Sequence, residues 1–257
     1  MKEAKTMKNP TRYWCVVPAA GVGKRMGSDI PKQYLPLGDS TVIQQTLVKL
    51  RKIKQLEAVV LCLSSGDEWW ANLNDNNNLS GPPVIIAAGG KERSDSVLNG
   101  LKALASKASD DDWVLVHDVA RPCVRVDDIQ TLIEQASQHK VGGLLGIPVR
   151  DTMKRATVRE GDDGNTADTN AVEILETVCR ENLWHALTPQ MFRYGDLMQA
   201  MMDALTANHS ITDEASALER LGRQPLLVEG HPDNIKITHP EDLALAALFL
   251  KQQASLK

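Results

Sequence analysis

The chain has 257 residues, 42% of them hydrophobic and 24% charged, enough for one sizeable α/β domain. A net charge of −4 argues against general nucleic-acid binding, so any cationic patch is local and ligand-directed. The longest apolar run, Leu243 to Leu250, is far too short to cross a membrane.

Met1 to Arg12 is polar and basic without an apolar centre, which predicts a disordered extension over 1–12 and no secretory signal. Tyr13 to Val17 reads as a strand, buried over Cys15–Val17. It opens into Pro18-Ala19-Ala20-Gly21-Val22-Gly23-Lys24-Arg25-Met26-Gly27, followed by Pro31-Lys32-Gln33. A Gly-rich loop after a buried strand offers backbone N–H groups to phosphate oxygens, and Lys24, Arg25 and Lys32 add positive charge. Gly21, Gly23 and Gly27 are read as positions where the main chain takes positive φ. The loop is neither a P-loop nor the dinucleotide fingerprint, because no Gly-Lys-Ser/Thr and no third spaced glycine closes it.

Val42–Leu50 follows as a helix with Ser40 as its cap, then strands at Ala58–Leu63 and Val84–Ala87. Asn74 to Asn78 between them reads as a polar loop without function. Ser94 to Leu104 is helical with Ser94 as cap, Trp113–Val116 is a strand, Val126–Gln138 a helix and Leu144–Val149 a strand. Apolar strands alternating with amphipathic helices predict a mostly parallel sheet covered on both faces, with ligands at the carboxyl ends of its strands. The stretches 18–32, 88–95 and 117–121 all fall at such ends.

From Arg150 to Leu183 neither periodicity is clean, and an acidic, Gly-rich run lies near Glu160–Asn165, so 150–183 reads as an excursion from the domain. Regular structure is expected to resume near Leu197, with a helix over Asp213–Leu221 capped by Thr212 or Asp213, and late strands at Leu226–Val228 and Asn234–Thr238. A last helix begins near Pro240. Cys15, Cys62, Cys123 and Cys179 form no C-x-x-C pair, which suits free thiols and a reducing cytoplasm.

Arg25 and Lys32 are the leading catalytic candidates, because phosphoryl and nucleotidyl transfer gain most from fixed charge near the reacting phosphorus. Asp118 ends a strand, where a carboxylate suits a divalent metal or ribose or substrate hydroxyls, or else caps a helix or pairs with Arg121. His117 reads as a packed structural side chain. Lys236 interrupts an apolar pattern and needs either a partner or an anionic ligand.

These residues together resemble the 2-C-methyl-D-erythritol 4-phosphate cytidylyltransferase family. The matching stretches are PAAGVGKRMG, PKQYLPLG, GGKERSDSVLNGL, VLVHDVARP, PVRDTMKR, LWHALTPQ, TDEASALE and DNIKITHPEDLALA, so the resemblance runs from Trp14 to the end. PAAGxGxRM is shared with sugar-nucleotide transferases more widely, whereas its combination with HDxARP, DTMKR and TDEA is far more specific.

The resemblance implies a Rossmann-like α/β nucleotidyltransferase domain over 13–257, with 150–183 as a protruding β-arm that interlocks two subunits and shares residues between their active sites. It implies CTP, a sugar-alcohol phosphate and a divalent metal, normally Mg2+, in the non-mevalonate route to isoprenoid precursors. By position, Arg25 and Lys32 match residues that stabilise the pentacovalent transition state. Arg180, Lys236, Thr152 and Thr212 match substrate contacts, and Asp118 the acid near metal and substrate. Pro18, Ala19, Ala20, Gly21, Val22, Gly23, Lys24, Gly90 and Ser96 match the nucleotide-binding loops. Val119 stands where the family usually has Ala, and the acidic run over 160–170 is longer than the family pattern. A ribitol-phosphate cytidylyltransferase, a uridylyl- or guanylyltransferase and a non-catalytic nucleotide-binding regulator are the competing readings; the last is expected to lack Arg25, Lys32 or Asp118.

Overall fold

The computed structural model describes residues 10–21, 26–27, 29–73, 80–157 and 172–255. Its centre is a sheet of seven strands: β1 (Tyr13–Pro18), β4 (Leu56–Leu63), β5 (Val84–Ala88), β6 (Trp113–Val116), β7 (Gly142–Pro148), β10 (Trp184–Arg193) and β11 (Leu226–Glu229). The short β2 (Pro36–Leu37) and β3 (Ser40–Thr41) pair with each other, as do β8 (Met153–Ala156) and β9 (Ile174–Val178). The central order is β11-β7-β10-β6-β1-β4-β5, and every neighbouring pair is parallel except the two that β10 makes.

Two apolar layers follow from the alternation of side chains along each strand. Cys15, Val17, Val59, Leu61, Trp113 and Leu115 face α1 (Val42–Leu50) and α3 (Val126–Ala136). Trp14, Val16, Val60, Val114 and Val116 face α2 (Arg93–Ala103), α4 (Tyr194–Thr206) and α5 (Glu214–Glu219). Strands buried on both faces read as unbroken apolar runs, which is why they are visible in the sequence. At Gly100 on α2, a Cβ would lie 2.5 Å from Val16 Cγ1 and 2.8 Å from Cys62 Sγ, so the missing side chain lets the helix sit close on β1 and β4. The last helix, α6 (Glu241–Ser255), covers a smaller cluster of Met26, Leu37, Val42, Cys123 and Ile237.

Several expectations are corrected. Thr41, not Ser40, caps α1, its backbone N–H donating to Gln44 Oε1 at 3.1 Å. Glu92, not Ser94, caps α2 in a reciprocal pair with Asp95. Asn234–Thr238 is loop, because its main chain bonds to the turn carbonyl of Ala120 rather than to a strand. β10 was hidden by Pro189 and Gln190, residues that argue against a central strand; the ladder with β7 shifts register between Ala186 and Gln190 and so spares Pro189 a donor. The chain therefore rejoins the central sheet at Trp184, and regular structure is already present ahead of Leu197.

Of the expected 1–12 extension, Arg12 is tied down: its backbone N–H donates to Asp112 Oδ1 and its guanidinium lies over Trp14. Gly27 has the left-handed φ of 61°, Gly21 does not, and Gly23 lies outside the described residues. So do Asn74 to Asn78 and the acidic run 160–170. All four cysteines are free thiols. Among the described residues no helix is long and apolar enough to cross a membrane.

Candidate active site

Where β1, β5 and β6 end, their loops converge on a cleft of about 200 Å³ lined by residues that include Pro18, Ala19, Ala20, Gly21, Lys32, Gly90, Ser96, Asp118 and Lys236. A larger hollow of about 550 Å³ beside α6 is lined by Leu245, Leu248 and Phe249 with Lys251, Gln252 and Ser255, and holds no acid. Chemistry, not size, selects the strand-end cleft.

The two glycine-containing loops that wall it are held by main-chain bonds. Ala19 N donates to Cys62 O at 2.9 Å and Gly89 N to Leu63 O at 2.6 Å, so both loops hang from the end of β4. Buried Gln33 donates from Nε2 to Ala19 O at 2.8 Å and braces the first loop from below. In the second, Gly90 N donates to Ser96 Oγ at 2.9 Å, and Ser96 donates onward to Glu92 O. A Cβ on Gly90 would fall 2.2 Å from Asp95 Cβ, so the turn into α2 excludes any side chain there. Ser96 thus shapes the loop from within.

The floor is Asp118. Oδ1 accepts from Arg93 Nε at 2.7 Å and Oδ2 pairs with Lys236 Nζ at 2.8 Å, while Arg121 Nε stands 3.8 Å off. Burial alone raises a carboxyl pKa, but Arg93 and Lys236 outweigh it and hold Asp118 well below the usual carboxylate range. It is therefore a fixed anion. Lys236 has found the partner its position demands, and Lys32 Nζ donates to Ile237 O at 3.2 Å, one residue away. The two lysines meet at one wall of the cleft.

His117 is fully buried beneath this acid, as the sequence reading has it. Arg121 O can only accept, so Nε2 carries the ring hydrogen, and Thr188 Oγ1, which accepts from Asp118 N at 3.1 Å, donates its own hydrogen to His117 Nδ1 at 2.9 Å. Nδ1 then accepts and Nε2–H donates to Arg121 O at 3.2 Å, a neutral tautomer. Burial lowers the imidazole pKa to about 4, in agreement.

Val22, Gly23, Lys24 and Arg25 lie outside the described residues. The cleft does not gather Thr152, Arg180 or Thr212. Thr152 and Arg180 are exposed on the segment carrying β8 and β9, where Arg180 bonds to Arg150 O, and Thr212 is exposed just ahead of Asp213, the cap of α5. Sequence reasoning missed Gln33, Lys91 and Glu92 in the lining, and the role of Arg93, whose partners Asp118 and Glu214 are 25 and 121 residues away. Only the position of an arginine shortly after a Gly-Gly turn and at the start of a helix hints at it.

Comparison with known proteins matches this architecture. The family model for 2-C-methyl-D-erythritol 4-phosphate cytidylyltransferase matches residues 13–252. Proteins of that name from Hahella chejuensis and Shewanella loihica are 49% and 50% identical, over 94% and 93% of each chain. A solved 4-diphosphocytidyl-2C-methyl-D-erythritol synthase superposes with a TM-score of 0.76 at 33% identity, over 95% of this chain and 100% of that one. The Francisella tularensis cytidylyltransferase gives 0.75 at 34%, over 93% and 100%. With nearly the whole chain matched in sequence and in fold, this protein belongs to the 2-C-methyl-D-erythritol 4-phosphate cytidylyltransferase family.

Proposed function

We infer that the protein joins CTP to 2-C-methyl-D-erythritol 4-phosphate, forming 4-diphosphocytidyl-2-C-methyl-D-erythritol and pyrophosphate, a step toward isoprenoid precursors. A phosphate oxygen of the acceptor attacks the α-phosphorus of CTP, and the bond from that phosphorus to the bridging oxygen breaks as pyrophosphate leaves. The observation that carries this reading is the convergence, in one cleft, of two backbone-lined loops with Lys32, Lys236 and the clamped Asp118.

The nucleophile is already anionic, so the site needs no general base, and neutral His117 beneath it supplies none. The task is to bring two anions together and to hold them in line. The loops 18–21 and 89–92 offer the nucleotide main-chain donors. Lys32 meets charge growing on the phosphorus and the leaving group, with Arg25 assigned to the same work from the family pattern. Lys236 faces the acceptor phosphate, its ammonium held in place by Asp118.

Among the described residues no three His, Cys, Asp or Glu side chains gather as a metal cage. One carboxylate suits a magnesium ion that arrives on the polyphosphate and keeps most of its oxygen ligands from phosphate and water. Asp118 would hold it on the lone pairs that Arg93 and Lys236 leave open, and the ion would neutralise charge on the phosphates.

Val172, Ile174 and Leu175, each more than 60% exposed, leave an apolar stretch uncovered at the start of β9. An isolated hairpin of this kind is marginal alone, which supports a homodimer in which this arm covers its counterpart and brings Thr152 and Arg180 to a neighbouring cleft. No membrane or nucleic-acid partner enters this reading, which suits a cytoplasmic enzyme.

The test is pyrophosphate release from CTP and magnesium with methylerythritol phosphate or ribitol phosphate as acceptor, repeated with UTP. Release confined to CTP with methylerythritol phosphate is expected. Preference for ribitol phosphate would move the protein to the sister activity, and silence with every pair would refute the catalytic reading.

A further inference from the structure

Glu214 opens α5 with no exposed surface. Its two oxygens accept from Arg93 Nη1 at 2.7 Å and Nη2 at 3.0 Å, a bidentate fork, while the Nε of the same guanidinium reaches Asp118. Glu214 itself is held from below. Gln190 on β10 accepts from Ala215 N at 2.8 Å and donates to Asp213 Oδ2 at 2.9 Å, pinning the first turn of α5 to the sheet.

This arrangement is a poor way to gain stability. Burial raises the pKa of Glu214 despite the arginine beside it, so keeping the carboxylate charged there is costly. What it does achieve is geometric. A lone Arg93 could swing about its long stem, whereas a guanidinium gripped along one edge presents Nε in a single direction. Asp118 is then fixed on Oδ1 by Arg93 and on Oδ2 by Lys236. Arg93 also opens α2 directly after the loop 89–92, so one side chain ties the nucleotide loop, the strand-end acid and the start of α5 together.

We propose that Glu214 is a positioning residue for nucleotidyl transfer, acting through Arg93 to aim the carboxylate of Asp118 across the cleft. It touches no substrate itself. The inference rests on the cytidylyltransferase reading above and adds to it a residue that the cleft lining does not include.

The experiment is a double-mutant cycle of Glu214→Gln and Asp118→Asn on the full chain, with kcat and both KM values measured and folding followed by thermal melting. E214Q is expected to lower kcat at least tenfold while the KM for CTP stays within threefold of wild type. In the D118N background it should lower kcat by less than twofold, because the group it aims is already gone. Losses that multiply across the two sites, or an E214Q enzyme with unchanged kcat, would overturn the proposal. If E214Q melts far below wild type, Glu214→Asp keeps the charge but withdraws it from Arg93, and the same lack of additivity with D118N is required. Silence of the wild-type protein would instead overturn the assigned activity, and this inference with it.

Discussion

Neutral His117 makes stability depend on pH in a way that can be worked out. In the unfolded chain its imidazole takes a proton near pH 6.5, whereas in the fold burial holds the pKa at about 4. Between those values the unfolded state carries more protons than the native one, so stability falls as pH falls and the loss levels off below pH 4. From pH 7 to pH 5 the linkage amounts to about 2 kcal/mol. Asp118 does not contribute in that window, because its depressed pKa places its loss at lower pH. Glu214 works the other way, since protonating a carboxyl whose pKa is raised favours the native state. Comparison with His117→Gln separates the terms: glutamine does not titrate, and its amide can still donate to Arg121 O. Urea unfolding of both proteins at pH 7, 6 and 5 should show the wild type losing about 2 kcal/mol more than the variant. Parallel pH dependences would refute the neutral, buried imidazole and the tautomer drawn from its partners.

Gly90→Ala should raise the KM for CTP by roughly tenfold or more with little change in melting temperature, because the new methyl meets Asp95 at 2.2 Å and reshapes the loop; an unchanged KM would separate this turn from nucleotide binding. Gly100→Ala should instead cost about 1–3 kcal/mol of stability in denaturant titrations, since its Cβ meets the short, buried side chains of Val16 and Cys62. A neutral result would mean that α2 can lift from the sheet without loss. Lys32→Ala should lower kcat by about a hundredfold while affinity for CTP, read by calorimetry, changes far less. Equal losses in both would make Lys32 a binding residue.

The parallel part of the sheet was legible because its strands are apolar on both faces: Trp113–Val116 stands out between acids and His117, and Val84–Ala88 between Pro82-Pro83 and Gly89-Gly90. β10 was not, since Pro189 and the polar side chains of Thr188 and Gln190 break the run, and those side chains are spent on the site: Thr188 on His117 and Asp118, Gln190 on α5. Lys236 was visible as a charge in the wrong place, although the segment around it is loop. Its partner was not visible, because 118 residues separate it from Asp118 and only the fold brings them together. Helix caps were misread by one or two residues wherever several cap formers stand in a row, as in Asp39-Ser40-Thr41 and Glu92-Arg93-Ser94-Asp95.

The chain leaves the sheet along β7 and returns along β10, and these strands are antiparallel neighbours paired from Pro148–Trp184 to Gly142–Phe192. Between them β8 and β9 pair antiparallel with each other and continue the same hairpin outward. Its register is set at the sheet, so residues gained or lost between Ala156 and Ile174 do not slide Thr188 past Asp118. The acidic run in this chain lies in that interval. Evolution is thus free to lengthen or shorten the segment between β8 and β9 while the alignment of Asp118 with Thr188 is inherited unchanged.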